Sequence, residues 1–322
     1  MATPPSRPAA ASMPFVILHN PDAGAAETEG CLDIIERVLT AAGHPYELLP
    51  IGHGGIDSAA QAAIARARRH QGALVVAGGD GTISGAVQYA LPAGIPLGII
   101  PVGTFNYFAR SHGIPLEVEA ATRALLEAVV VPAQVGQVND RFFTVNASVG
   151  LYVQSLEDRE ALTRRLGRSR LVALLAGLAT LLKVHRPWLL ELDAGEGPRL
   201  LRASTVFVGN NMLQLQQAGI PGVEALALGE LVAVIVKPTG VLERLATFLR
   251  GAHGRLAQAD AVECFSFRQI QLTPRRRQRW RRLKVGVDGE TVWMSTPLVF
   301  QRAAQPLQLL VPAASLPAGS DA

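Results

Sequence analysis

One carboxylate set among glycines is the feature of this chain with the clearest chemistry: Gly78-Gly79-Asp80-Gly81-Thr82 directly follows the apolar run 73–77. A short strand that ends in such a turn and passes into a helix, expected from Thr82, makes a phosphate cradle. Glycines admit an anion close to the backbone, and the free N–H groups of the helix start point at it. Asp80 among those donors makes sense as a metal holder or a proton acceptor. An ordinary glycine-rich βα turn fits GGDG alone equally well. Two further turns repeat the pattern. The run 97–100 leads into Pro101-Val102-Gly103-Thr104-Phe105-Asn106 and a helical Tyr107-Phe108-Ala109-Arg110, with Thr104 or Asn106 placed to cap it. The run 15–18 leads into His19-Asn20-Pro21-Asp22-Ala23-Gly24. Three such turns, each after a strand of one α/β region, put a ligand outside the carboxyl ends of the strands.

These residues, NPDAG, GGDGT and PVGTFNYFAR, together resemble the catalytic domain of the diacylglycerol kinase-like lipid kinases, the family that includes sphingosine and ceramide kinases. Asn146-Ala147-Ser148-Val149-Gly150, Val208-Gly209-Asn210-Asn211 and Val287-Asp288-Gly289-Glu290 extend the resemblance over roughly residues 14 to 312. GGDGT alone is shared with NAD kinases and is similar to a turn of phosphofructokinases. The GT-x-N-x-F-A-R segment and the late DGE are more specific.

Composition narrows the alternatives. Lysine occurs only at 183, 237 and 284, so residues 1–182 hold neither a Walker A lysine nor the strand lysine of a protein kinase. Cys31 and Cys264 form no CxxC, and the histidines show no HxxxH, which speaks for a reduced compartment and against a zinc site. No GxSxG supports a nucleophile-elbow hydrolase. Residues 1–150 carry 8 basic and 12 acidic residues, net −4, while residues 151–322 carry 22 and 14, net +8. The basic half is the expected face for an anionic partner.

Strands at 14–19, 45–49, 73–77 and 97–100, alternating with helices at 28–42, 57–70, 82–90, 104–111 and 117–129, predict a doubly wound parallel sheet over residues 14–131. From Pro132 to 312 the pattern changes to strands without regular helices: 134–138, 141–145, 188–192, 200–208, 231–236 and 266–272, with a hairpin 284–294 about Asp288-Gly289. This predicts a mostly antiparallel β-sandwich-like second domain. The run 307–312 reads as a strand of undecided domain. Residues 1–13 and 313–322 read as disordered, and 1–13 lack the apolar core of a signal peptide. The family's fold is similarly bipartite, and the resemblance implies an active site in the interdomain cleft.

Two segments point to a lipid surface. Residues 171–182 are apolar or small behind Arg164, Arg165, Arg168 and Arg170, too short for the ~20 residues that span a bilayer. They fit a core helix or a membrane-proximal one. Six arginines lie within residues 275–282 around Trp280, a composition suited to an anionic bilayer interface. No aromatic platform or helix-turn-helix pattern favours nucleic acid.

The resemblance implies ATP and Mg²⁺, with Gly78, Gly79, Gly81 and Thr82 cradling phosphates and Asp80 at the metal. Gly103, Thr104 and Asn106, with Asn20 and Gly24, complete the nucleotide site. The family's proton acceptor corresponds to Glu290, whose pKa partial burial would raise. Asp288 is a second catalytic candidate, although Asp-Gly also makes a hairpin turn on its own. Asn146, Ser148 and Asn210 are candidates for the substrate headgroup. Two departures stand out. Tyr107 occupies a position that is often aspartate in the family. A DDG-x-x-D-like segment that holds a second Mg²⁺ in many bacterial members is reduced here to 226–231, with Glu230 as its one acid. The reading is a cytoplasmic, peripherally membrane-associated kinase acting on diacylglycerol or a related lipid. Its rivals are a soluble NAD kinase-like enzyme and a non-catalytic nucleotide- or lipid-sensing module.

Overall fold

The structure, a computed structural model, describes residues 13–21, 30–151, 153, 187–195, 197–240, 243, 246–247, 249–250, 253–275 and 281–315. Gly24, the apolar run 171–182 and residues 276–280 lie outside these. The chain forms two compact units, Met1–Gln134 with Ala304–Ala322, and Val135–Ala303.

The first unit is built on a six-stranded sheet. Its strands are β1 (Phe15–His19), β2 (Tyr46–Pro50), β3 (Ala73–Gly78), β4 (Leu97–Pro101), β5 (Ala128–Ala133) and, from the far end of the chain, β18 (Leu307–Pro312), in the order β2-β1-β3-β4-β18-β5. The neighbours from β2 to β18 run parallel; β5 is antiparallel to β18. β1, β3 and β4 are buried along their whole length, which explains why they read as unbroken apolar runs.

Helices cover the sheet. In α1 (Cys31–Ala41) Ile35, Val38 and Leu39 turn inward. In α2 (Gly55–Arg69) the buried face is Ala59, Ala60, Ala63, Ile64 and Ala67, small residues that bring the helix close to the strands, while Arg66, Arg68 and Arg69 sit at its carboxyl end, where the helix dipole favours cations. α3 (Asp80–Ala93) ends on left-handed Gly94. α4 (Tyr107–Ser111) is a short turn of helix, and α5 (Val118–Leu126) is capped by the Glu117 carboxylate, which accepts from Ala120 N–H at 2.8 Å.

Two sequence expectations change here. The expected helix 117–129 stops at Leu126, because Ala128–Ala133 forms an edge strand. Val129, Val130 and Val131 favour the extended chain, and Pro132 is tolerated at an edge, where a missing donor breaks no ladder. Residues 304–312 group with this unit and not with the second, because β18 fills the slot between β4 and β5.

The second unit contains two antiparallel six-stranded sheets. One has the order β10-β9-β14-β17-β6-β7: β6 (Gly136–Val138), β7 (Arg141–Phe143), β9 (Trp188–Asp193), β10 (Pro198–Ala203), β14 (Gln269–Pro274) and β17 (Leu298–Arg302). The other has the order β13-β12-β11-β8-β15-β16: β8 (Asn146–Gly150), β11 (Thr205–Gly209), β12 (Leu231–Val236), β13 (Val262–Phe267), β15 (Arg282–Val287) and β16 (Glu290–Ser295). Phe143, Leu190, Ile270 and Phe300 of the first interleave with Val149, Val208, Ala233 and Val285 of the second in one core, as in a sandwich. The expected strands 200–208 and 266–272 are each two strands. The chain leaves one sheet at Ser204 and the other at Arg268, so one apolar run serves both layers.

His44 is buried in the first unit, its ring 4.0 Å from that of Phe15 and its Nε2 3.0 Å from the Met13 carbonyl. Burial lowers its pKa below the usual 6.5, more than the carbonyl contact raises it. His19 and His112 are shifted the same way, also by burial. The unfolded chain therefore binds protons first. Stability of this unit is fully present above the unfolded histidine pKa and falls as pH drops below about 6.5 toward the lowered folded values. Denaturant midpoints measured between pH 7.5 and 5 will fall with pH, and His44→Gln will flatten that slope.

Candidate functional site

Each unit gathers part of the sequence-predicted site. In the first, the three turns follow β1, β3 and β4, which are adjacent and parallel, so Asn20, Gly78–Thr82 and Gly103–Asn106 all lie at the same carboxyl edge. The two glycine turns touch. A Cβ on Gly103 would lie 2.7 Å from Gly79 Cα and equally close to Asn106 Oδ1, and one on Gly79 would come within 3.3 Å of Gly103 Cα. A Cβ on Gly78 would lie 2.7 Å from Thr82 Cβ. Only chain without side chains packs this closely, which leaves backbone N–H groups lining the edge.

The helix boundaries differ from expectation in a useful way. α3 starts at Asp80 itself, with Gly79 as its cap residue, so the carboxylate stands in the first turn of the helix. Its Oδ1 accepts from Phe108 N–H at 3.3 Å, in the neighbouring turn. Asn106 sits at the cap position of α4 in a left-handed conformation, φ 50°, yet its side chain makes no helix cap. It closes its own loop instead: Oδ1 accepts from Gly103 N–H at 3.1 Å and Nδ2 donates to Gly103 O at 2.7 Å. Asp80 thus takes part of the capping role that the sequence assigned to Thr104 or Asn106. Thr104 is exposed.

Tyr107 is half-buried beside this carboxylate. Its ring stacks on Phe105 at 5.7 Å and 4°. Burial raises its phenol pKa; the charge of Arg110 opposes the rise and that of Asp80 adds to it. Sequence reasoning passed over His19, which closes β1 directly before Asn20. It is buried, and its Nδ1 meets no hydrogen-bond partner among the described residues. A polar residue at the end of an otherwise apolar strand was the available signal.

In the second unit the motifs NASVG, VGNN and VDGE converge through strand pairing. Gly209 stands opposite Asn146, and Val287 opposite Ala147. Asp288, at φ 47°, and Gly289, at φ 91°, form the two-residue turn between β15 and β16. The Asp288 carboxylate is a brace. Its Oδ2 accepts from Thr144 N–H at 2.7 Å and Thr144 Oγ1 at 3.0 Å, and its Oδ1 from Val145 N–H at 2.8 Å and Asn146 N–H at 2.9 Å. Four donors occupy the lone pairs a proton acceptor would need, so the structure gives Asp288 a holding role where the sequence offered a catalytic one.

Asn146, Ser148 and Asn210 are all buried at this end of the sheet. Asn146 Nδ2 donates to Gln214 Oε1 at 3.1 Å and Asn210 Nδ2 to Thr144 O at 3.1 Å, while Ser148 Oγ meets no partner among the described residues. Asn211 caps α6 (Met212–Gln217), accepting from Gln214 N–H at 3.0 Å. Glu290 opens β16 and is exposed, without the partial burial the sequence reading expected.

No three His, Cys, Asp or Glu side chains cluster as a metal site among the described residues. Asp80 at a helix start, beside a cradle that a Cβ would fill, fits an Mg²⁺ held by one carboxylate and nucleotide phosphates, since Mg²⁺ keeps several waters and needs few protein ligands. Glu230 receives Ser266 Oγ at 2.7 Å and pairs with Arg268 at 3.7 Å.

Glycine-rich turns at the carboxyl edge of a parallel sheet, in a chain that also carries an antiparallel sandwich, give a two-unit architecture. Comparison adds a family likeness: residues 14–138, within the first unit, match the diacylglycerol kinase catalytic domain. A probable lipid kinase YegS-like of Cronobacter sakazakii (strain ATCC BAA-894) is 34% identical over 121 residues, 35% of this chain and 39% of the relative. The diacylglycerol kinase of Bacillus subtilis (strain 168) is 35% identical over 130 residues, 39% of this chain and 42% of that one. The chain thus spans about two fifths of the length of these relatives. The similarity of fold extends further. The crystal structure of a diacylglycerol kinase from Bacillus anthracis str. Sterne superposes with a TM-score of 0.67 at 19% identity, over 94% of this chain and 98% of that one.

Replacing Asp288 by Ala will strand three backbone donors and a hydroxyl, a cost of about 3 kcal/mol or more. Equilibrium unfolding checks this, and a variant that keeps wild-type stability would return Asp288 to the list of candidate bases.

Proposed function

We propose that this chain is a lipid kinase that transfers the γ-phosphoryl group of ATP, with Mg²⁺, to a hydroxyl of diacylglycerol or a related lipid. The observation that carries the reading is the meeting of three glycine- and asparagine-bearing turns at one edge of the parallel sheet, with Asp80 at the head of α3. The match of residues 14–138 to the diacylglycerol kinase catalytic domain supports it.

In this reading the backbone N–H groups of 78–82 and 103–106 hold phosphate oxygens, work that lysine does in other kinases and that no lysine before 183 is present to do. Asn106 closes its own turn and Asp80 ties that turn to the one before it, so the donors are oriented before the nucleotide arrives. Mg²⁺ bound beside Asp80 would neutralise charge on the oxygens of the transferring group. Glu290 removes the proton of the lipid hydroxyl. That oxygen bonds to the γ-phosphorus, the bond from phosphorus to the bridging oxygen breaks, and ADP leaves with the electron pair. Asn146, Ser148 and Asn210 are the polar groups available to a headgroup, and Asp288 holds the turn from which Glu290 projects. The enzyme works at the cytoplasmic surface of an anionic membrane.

Labelled ATP offered with a panel of lipids in vesicles tests this. We expect transfer to diacylglycerol or a close relative, and a loss of at least about 10²-fold for Asp80→Ala and for Glu290→Gln, the latter at unchanged melting temperature. Transfer only to NAD would establish the soluble-kinase reading. Vesicle binding with no transfer to any acceptor would establish the sensing one.

A further inference from the structure

On the hairpin of β15 and β16, Leu283, Val285 and Met294 point into the sandwich core. Alternation then puts Arg282, Lys284, Trp293 and Ser295 on the opposite face. Lys284 pairs directly across from Trp293, and Arg282 from Ser295. The Lys284 ammonium lies 5.3 Å from the Trp293 ring centroid, and Arg282 Nη2 donates to the Trp293 carbonyl at 3.1 Å. Trp293 is 50% exposed on what is the outer strand of its sheet. Arg281 and Arg282 are exposed beside it. A half-exposed indole with cations held at its rim is a combination suited to an anionic interface.

We propose that the face bearing Arg281, Arg282, Lys284 and Trp293 docks this chain on an anionic lipid surface, with the indole at headgroup depth and the cations against phosphates. An indole is amphipathic and favours the boundary between headgroups and acyl chains. Basic residues next to it draw it to anionic lipid within a Debye length. The charge balance agrees: the half of the chain that holds this hairpin is net +8, the other half net −4. The choice of lipid over other polyanions rests on the lipid-kinase reading. The docking itself does not involve Asp80 or Glu290.

Sedimentation with vesicles of phosphatidylcholine, pure or containing phosphatidylglycerol, and with no nucleotide present, tests the face separately from catalysis. The wild-type chain will pellet with the anionic vesicles, and 0.5 M salt will release most of it. Arg282→Glu with Lys284→Glu will weaken binding by roughly thirtyfold or more. Trp293→Ala will weaken it severalfold on both vesicle types, and Arg268→Glu, an exposed reversal at the bend between β13 and β14, will change it less than twofold. Melting curves must show all variants folded. Binding within twofold of wild type for both hairpin variants overturns the proposal, as does retained affinity for RNA with none for vesicles. Hairpin-dependent binding by a chain that transfers no phosphate would leave docking standing and remove the kinase reading alone.

Discussion

In the function proposed above phosphate is held by backbone, since no lysine precedes residue 183, and the packing of the first unit suits that constraint. Amide donors are weak singly and have to be crowded, so two turns from adjacent strands are brought into contact at Gly79 and Gly103, where the room left is less than one methyl group needs. Contact of that kind is fragile unless something holds the turns in register. One polar side chain does so, and a second shapes the turn it reaches. Asn106 stitches its loop to Gly103 from a left-handed backbone that asparagine tolerates better than most residues, and Asp80 reaches across to Phe108. The carboxylate that would face the metal is the same one that joins the turns, so removing it changes shape as well as charge.

The second unit solves a related problem with the same residue type. Asp288 draws residues 144–146 onto the turn between β15 and β16 through four hydrogen bonds. Three segments separated by more than sixty residues each, at 146, 210 and 288, thereby share one end of a sheet. The buried asparagines there satisfy each other's surroundings, Asn146 through Gln214 and Asn210 through the Thr144 carbonyl. That arrangement leaves the hydroxyl of Ser148 as the buried polar atom whose partner the described residues do not supply.

Much of this was legible in the sequence, and the misses have physical causes. β1, β3 and β4 were readable because strands covered on both faces are continuous apolar runs, and the turns after them because glycine and asparagine have few other reasons to cluster. β5 was not, since Val129–Val131 continues an apolar helix pattern and Pro132 marks an edge strand and a domain boundary equally well. Residues 200–208 looked like one strand because the bend at Ser204 involves no proline or glycine at that position; its neighbour Gly150 provides the room, across the sheet. The dual nature of Asp-Gly was visible, but only the coordinates of Thr144 and Val145 show which role Asp288 takes. His19 was missed because one polar residue at a strand end carries no periodicity.

The position of β18 has a consequence for how this chain is made. The strand wedged between β4 and β5 comes from residues 307–312, after the whole sandwich of the second unit. During synthesis, β4 and β5 emerge early and must wait, with apolar edges unjoined, while some 170 further residues leave the ribosome. Completion of the parallel sheet is therefore a long-range loop closure, slow by its contact order, and the first unit stays one strand short for that interval.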